Sequence, residues 1–297
     1  MGAYDGLPER DLFEMEYYTL QQAKLRPPAL RLAREVAIVT GAAGAIGAGI
    51  ARGLLREGCH VAATDLAGDR LDALVAALRA EFGERVTGVA LDVGDPASVA
   101  AGFAQVCTHF GGVDLVVNNA GLAHVATLDE LELEAFRRLE RVNVEGTLHL
   151  LKEAARSFAA QRTGGDVVLV STKNVFAPGA GFGAYSATKT AAHQLARIAS
   201  LELAAQDVRV NMVAPDAVFA DGERKSGHWQ EVGPGRMKAR GLDEQGLEEF
   251  YRNRNLLKAR ITADHVANAV LFFATRATPT TGATLPIDGG LPDATPR

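Results

Sequence analysis

Val36-Ala37-Ile38-Val39-Thr40 runs directly into Gly41-Ala42-Ala43-Gly44-Ala45-Ile46-Gly47, and from Ala45 onward the apolar spacing turns helical. A short β-branched run, a glycine turn and a helix in that order predict the first unit of a parallel α/β sheet. Glycines at such a turn let the backbone bend tightly and come close to a pyrophosphate, whose charge the helix N-terminus favours. A second strand ends at Thr64-Asp65, some 20 residues on, which places Asp65 to accept hydrogen bonds from an adenosine ribose. The alternative role for Asp65 is to cap the next helix. A carboxylate there repels a 2′-phosphate, and neither Ala42 nor Ala43 brings a compensating cation. The reading is therefore NAD rather than NADP, with Arg70 the nearby basic residue that could disturb it.

The same alternation continues outward. Strand-like runs fall at Val36–Thr40, His60–Asp65, Val86–Asp92, Leu115–Asn118, Val167–Ser171, Val208–Val213 and, more weakly, Thr284–Ile287. Helical periods fall at Ala45–Glu57, Arg70–Phe82, Ala97–Phe110, Leu133–Ala160, Ala184–Ala204 and Ala263–Thr275. Near-continuous apolar strands alternating with helices imply a seven-stranded parallel sheet buried on both faces, a doubly wound, Rossmann-type α/β fold. Residues 35–297 read as one such domain. Residues 1–34, with Phe13, Tyr17, Tyr18 and Pro27-Pro28 but no clear period, read as an arm. Residues 220–258 are polar, glycine-rich and basic in patches, and read as an insertion that covers a substrate.

Bulk properties narrow the class further. With 47% hydrophobic and 23% charged residues and a net charge of -5, the chain has material for a sizeable core and no basic patch for nucleic acid or membrane. Asp5, Glu9, Arg10, Asp11 and Glu14 predict no secretory signal, and no window reaches the length of an apolar spanning helix. Cys59 and Cys107 have no metal-ligand spacing, and the histidines are unpaired, so no metal site and a cytoplasmic setting are expected.

Tyr185 and Lys189, four apart, share one helix face. A phenol titrates near ~10, and a base useful at neutral pH needs that lowered by roughly 3 units, about 4 kcal/mol of preference for the phenolate. A nearby ammonium and a positively charged nicotinamide could supply it in a dry cleft.

Together, Thr40-Gly41-x5-Gly47, Asp92, Asn118-Asn119-Ala120-Gly121, Asn143, Tyr185-x3-Lys189 and Asp288-Gly289-Gly290 resemble the short-chain dehydrogenase/reductase family from about Arg34 to Gly290. The resemblance implies Tyr185 as acid/base, Lys189 on the nicotinamide ribose and depressing the tyrosine pKa, and Asn143 anchoring a relay water. It implies cofactor contacts at Gly41, Ala43, Ala45, Ile46, Gly47, Asp65, Leu66, Asp92, Val93, Asn119, Ala120, Gly121, Pro215 and Val218. The family's catalytic serine, thirteen residues before the tyrosine, falls at Thr172; its neighbour Ser171 should face the other way. Three further departures are Ala45 for a loop glycine, Asp216 after Pro215, and Ala220 for a phosphate-binding threonine. Lys173, Asn174, Asp216 and Trp229 are the substrate candidates.

Three stretches are similar to one branch, the dehydrogenase half of bifunctional rhamnulose-1-phosphate aldolase/lactaldehyde dehydrogenases. They are Glu16–Leu25, Ser171–Asn174 with Ala177–Gly179, and Asn211 through Glu248–Arg254 to Gly290. The chain begins about where the linker from the aldolase half would. The expected activity is NAD-dependent hydride transfer with a small hydroxylated compound of sugar catabolism: a polyol, a hydroxyaldehyde such as lactaldehyde, or a sugar. The alternatives are a dehydrogenase acting directly at a sugar carbon, with insertion arginines reading an anion, and a non-catalytic cofactor-binding regulator. Arg224, Lys225, His228, Trp229, Arg236, Lys238, Arg240, Arg252 and Arg254 lie in the insertion; most are expected to be solvated, with ion pairs such as Glu248–Arg252, and one or two to point inward. His124 is either an ordinary loop residue or a substrate contact. Small-residue faces on Leu133–Ala160 and Ala184–Ala204 suggest a homotetramer.

Overall fold

The computed structural model describes residues 8–24, 30–222 and 224–294. Its contacts divide the chain at Leu32, where the second of two units begins. In the first unit the arm is not irregular: Glu9–Lys24 form a helix, α1. The stretch holds no proline or glycine and carries Glu9 and Asp11 in its first turn, where carboxylates suit the helix N-terminus. Its aromatics looked aperiodic because only Phe13 and Tyr17 share a face; their rings stack at 6.0 Å.

In the second unit, Val36–Thr40 (β1) is buried at every residue, as a central parallel strand must be. It is followed by α2 (Ala45–Arg56), β2 (His60–Asp65), α3 (Asp69–Phe82), β3 (Val86–Ala90), α4 (Pro96–Phe110) and β4 (Leu115–Asn118). Next come α5 (Leu133–Glu140), α6 (Gly146–Gln161), β5 (Gly165–Val170), α7 (Gly183–Glu202) and β6 (Val208–Pro215). A hairpin of β7 (Ala220–Asp221) and β8 (Arg224–Lys225), then α8 (Gly227–Arg240), α9 (Glu244–Asn253), α10 (Ala263–Ala274) and β9 (Thr284–Ile287) complete the unit. The main sheet has seven parallel strands in the order β3-β2-β1-β4-β5-β6-β9. One apolar layer packs α2, α3 and α10 on one face of it, and a second packs α4, α6 and α7 on the other.

Several expected boundaries change. β3 stops at Ala90, so Asp92 lies in the loop beyond it, and β5 runs Gly165–Val170, leaving Ser171 and Thr172 past its end. Leu133–Ala160 is not one helix: a π-helical turn, Arg141–Glu145, divides it. Hydrophobic spacing runs through such a turn without a break, whereas the reason for it is tertiary, since it carries the buried Asn143. The polar insertion holds a hairpin and two helices rather than loop. Among the described residues no helix is long and apolar enough to cross a membrane.

At the amino ends of β5 and β6, Asp166 sits opposite Arg209 in register and ion-pairs with it at 2.6 Å and with Arg276 at 2.8 Å. Burial pushes the Asp166 carboxyl up, against the hydrogen bond and charge of its arginines. Removing one member of such a buried pair strands the others. Asp166→Asn should therefore lower the unfolding free energy by about 3 kcal/mol, read as a shift in denaturant midpoint; a change below about 0.5 kcal/mol would place the cluster among ordinary surface pairs.

Candidate active site

The site is built where the strand order reverses, at the carboxyl ends of β1 and β4. Gly41 turns the chain at φ +61°, and a Cβ there would stand 2.9 Å from Ala120 Cα. At Gly47 a Cβ would stand 2.3 Å from Gly41 O, so both positions exclude a side chain. Thr40 Oγ1 accepts from the N–H groups of Asn119 (3.0 Å) and Ala120 (3.1 Å), while Asn119 Nδ2 donates to Thr40 O (2.9 Å) and Gly41 O (3.1 Å). These bonds weld the glycine turn to the end of β4. α2 starts at Ala45 with no side-chain cap, so its first N–H groups remain donors for an anion.

Asp65 Oδ2 accepts from Ala43 N (2.9 Å) and Oδ1 from Leu66 N (2.8 Å). It does not cap the following helix, whose N-cap is Gly68 with no side-chain bond. Each oxygen keeps a lone pair for a ribose hydroxyl. Arg70 does turn toward this corner, donating to Ala43 O at 3.4 Å, and the hairpin's Arg224 donates to the same carbonyl at 3.2 Å. Arg224 was grouped with the insertion in the sequence, and only the fold carries it across to the glycine turn. Asp92 accepts from Gly94 N (2.8 Å) and pairs with Arg141 (3.6 Å), close to the buried Val93.

A cavity of about 140 Å³ opens beside this turn. Its wall includes Ile46, Asn119, Gly121, Pro215 and Val218 with Thr172, Tyr185 and Lys189, and also all four substrate candidates, Lys173, Asn174, Asp216 and Trp229. The Thr172 hydroxyl accepts from Asn174 N at 3.3 Å and acts on the Tyr185 phenol against the burial that raises it. Ser171 instead pairs with His193 Nδ1 at 2.9 Å, which keeps its hydroxyl away from the phenol. Lys189 Nζ donates to Val170 O at 3.0 Å. A Cβ on Gly121 would lie 3.1 Å from that ammonium and 3.2 Å from Asn143 Oδ1, so Gly121 keeps the cradle over them open. Asn143 differs from the relay expectation in one respect. Its amide exchanges bonds with the backbone of Leu122 (2.9 and 3.0 Å) and donates to Thr188 (3.0 Å), so the side chain braces the fold. Its main-chain carbonyl, which accepts from Thr147 Oγ1 at 2.7 Å, is what remains for a water.

The insertion contributes groups that spacing did not single out. His228 lies edge-on to Tyr185 at 5.3 Å, and burial, with Lys189 and Arg236 adding to it, pushes it down to about 4, so it is neutral at physiological pH. Trp229 stacks on Phe219 (4.4 Å) and meets Tyr251 edge-on (4.8 Å), the packing anchor that half-buries it. Asp216 is not a free carboxylate: Arg254 grips it through Nε (3.2 Å) and Nη2. The expected Glu248–Arg252 pair is replaced by Glu248 with Arg260 and Arg252 with Glu249. His124 is absent from the cavity wall.

Two buried groups carry the electrostatic cost of the site. Burial pushes Tyr185 up to about 12, opposed by the Thr172 hydroxyl, and pushes Lys189 down to about 8. Between pH 8 and 10 the unfolded chain holds a lysine proton that the folded chain has lost, so this group makes stability rise with pH there. Lys189→Met should thus raise the unfolding free energy at pH 7 by about 1–2 kcal/mol, the desolvation gain less the lost bond to Val170. It should also flatten the rise above pH 8. Denaturation across pH 6–10 reads both, and a variant less stable at pH 7 refutes the assignment.

Comparison with known proteins agrees with this geometry. A family model described as short chain dehydrogenase matches residues 35–231. An uncharacterized oxidoreductase, YuxG, of Bacillus subtilis is 35% identical over the whole chain, which spans 43% of that protein's length. Sorbitol dehydrogenase of Cereibacter sphaeroides is 36% identical over 203 residues, 68% of this chain and 75% of that one. The crystal structure of sorbitol-6-phosphate 2-dehydrogenase from Erwinia amylovora superposes with a TM-score of 0.79 at 27% identity, covering 86% of this chain and 98% of that one. With its parallel seven-stranded sheet and its glycine turn at the strand-order switch, the chain belongs to the short chain dehydrogenase family of oxidoreductases, which use a nicotinamide cofactor.

Proposed function

We propose that the protein is an NAD-dependent dehydrogenase of polyols or related small hydroxylated compounds. The observation that carries this reading is that Thr172, Tyr185 and the buried Lys189 line one cavity beside the glycine turn, Tyr185 and Lys189 on the same helix face. The names of the sorbitol and sorbitol-6-phosphate dehydrogenases similar to it support the substrate class. Lactaldehyde, suggested by the narrower sequence resemblance, belongs in the substrate panel. The presence of Thr172, Tyr185 and Lys189 in the wall of one cavity supports this reading over a non-catalytic regulator.

The residues fit a dinucleotide. The α2 N-terminus and the turn at Gly41–Gly47 would hold the pyrophosphate, and Asp65 the adenosine ribose, with Leu66, Asp92 and Val93 near the adenine. Asn119, Ala120, Gly121, Pro215 and Val218 would flank the nicotinamide half. A bound nicotinamide supplies the hydride acceptor. Thr172 donates to the substrate oxygen and Tyr185 accepts its hydroxyl proton. Lys189, with protons to spare beyond Val170 O, favours the phenolate against the burial that raises it. Asn143 holds α5, α7 and the loop after β4 in register around them. Exposed Ile198 and Leu201 on α7 and Leu148 on α6 support association as a tetramer through those helices.

Mixing the protein with NAD and a panel of polyols, hydroxyaldehydes and sugars, and following NADH absorbance, tests the activity. Tyr185→Phe should abolish turnover with NAD affinity nearly unchanged. Thr172→Ser should stay active while Thr172→Val loses roughly 2–4 kcal/mol of transition-state stabilisation. A fully active valine variant removes Thr172 from the site, and a damaging Ser171→Ala transfers the role there.

Cofactor choice is tested by titration. NAD should bind at least about tenfold more tightly than NADP, because a carboxylate faces the 2′ position. Asp65→Ser should narrow the gap, with Arg70 and Arg224 left to receive the phosphate. A wild-type preference for NADP contradicts the charge argument.

A further inference from the structure

The cavity carries more positive charge than a neutral substrate needs. Besides Lys189, its wall holds three cations, Lys173, Arg236 and Arg254, and among the described residues one carboxylate, Asp216. Arg254 and Asp216 neutralise each other through their bidentate pair. The other two cations have no carboxylate within ion-pair distance among the described residues. Lys173 Nζ donates only to a neutral acceptor, Ala177 O, at 3.1 Å. Arg236 Cζ lies over the Phe182 ring, 4.5 Å from its centre, its Nη1 reaches Ala180 O at 3.4 Å, and its buried Nε has no hydrogen-bond partner. A half-buried cation without a counter-charge is costly, and a buried guanidinium donor without an acceptor adds to that.

The groups around them do not offset this charge. His228 is neutral, and Phe182, Trp229 and Tyr251 supply apolar wall. Lys173 itself is pushed down, first by burial and then by Arg254, with Asp216 and Asp293 only partly opposing. The chain places Lys173 immediately after Thr172, so an anion held there lies beside the group that would hold the reacting oxygen.

We propose that the substrate is an anionic hydroxy compound, a polyol or sugar derivative bearing a phosphate ester or carboxylate, whose anion is bound by Lys173 and Arg236. This deepens the dehydrogenase reading and rests on it for the reacting end of the molecule. The planar donor fork of Arg236, held over Phe182, suits an oxyanion better than it suits a hydroxyl. Asp216 keeps Arg254 from adding a third uncompensated charge and repels an anion placed too deep.

Titration calorimetry on the full chain, with and without saturating NADH, tests the proposal with three probes on one carbon skeleton: a hexitol, its terminal phosphate ester and the corresponding aldonate. At least one anion should bind roughly tenfold or more tightly than the hexitol, the size of one charge-assisted contact. That ratio should fall as salt is raised. Lys173→Met and Arg236→Met should each collapse the ratio, and Lys173→Arg and Arg236→Lys should restore part of it. The two anions distinguish phosphate from carboxylate. Equal affinity for all three probes in the wild type, or a ratio untouched in both methionine variants, overturns the anion site. NADH absorbance with the same probes reads the other claim separately. Anion binding with no turnover of any probe or panel compound sinks the dehydrogenase reading and leaves the anion site, whereas turnover without anion preference does the reverse.

Discussion

The close approach of Gly41 to Ala120 is the constraint on which the rest of the site depends. β1 and β4 are neighbours in the sheet, but their following connections leave in opposite directions, and a crevice opens between them. The crevice can admit a ligand only if both chain segments turn away sharply and stay fixed. Gly41 makes the turn by adopting a left-handed φ, and the Thr40–Asn119 bonds hold the two turns together. Without that weld, Gly121 would not sit over Lys189 and Asn143, and the catalytic face of α7 would have no opposite wall.

Against that fixed wall the protein buries groups that resist burial. A buried phenol and a buried ammonium lining the same cavity are pushed in opposite directions, the first toward holding its proton and the second toward losing it. The chain's own answer is partial: the Thr172 hydroxyl opposes the rise at the phenol, and Val170 O is one acceptor for the ammonium. A phenolate at this position would need further stabilisation from a cation bound in the cavity. Asn143 serves this arrangement mechanically. From its π-helical turn one amide joins the loop after β4 to α7, and Thr147 Oγ1 donates to the Asn143 carbonyl one turn back.

The segment after β6 converts this general site into a particular one. Aromatic edges and faces from Phe219, Trp229 and Tyr251 lock α8 and α9 to each other, so His228, Arg236 and Arg254 are presented from a packed platform rather than a free loop. The hairpin at its start is tied back to the cofactor end by Arg52–Asp221 and by Arg224 on Ala43 O. Substrate and cofactor ends of the crevice are thereby joined through one short piece of chain.

Much of this was legible in the residues themselves. Parallel strands buried on both faces show as continuous apolar runs, and the glycine turn, Asp65 and the Tyr185–Lys189 spacing are local patterns, so the sheet and several of the residues that line the cavity could be read directly. Ser171 and Thr172 both lie past the end of β5 and both line the cavity, but Ser171 is taken by His193, a partner 22 residues away. Other features were decided by tertiary structure. The π-turn at Asn143 leaves the hydrophobic period intact, and the helix Glu9–Lys24 lacks a strong apolar stripe. The pairing of Asp216 with Arg254 joins residues 38 apart, and the reach of Arg224 to Ala43 spans 181. Local sequence determines which backbone a segment prefers and which chemistry it carries. Which charges meet, which are left without a partner and which protons become costly depend on distance and burial, and those exist only once the chain has folded.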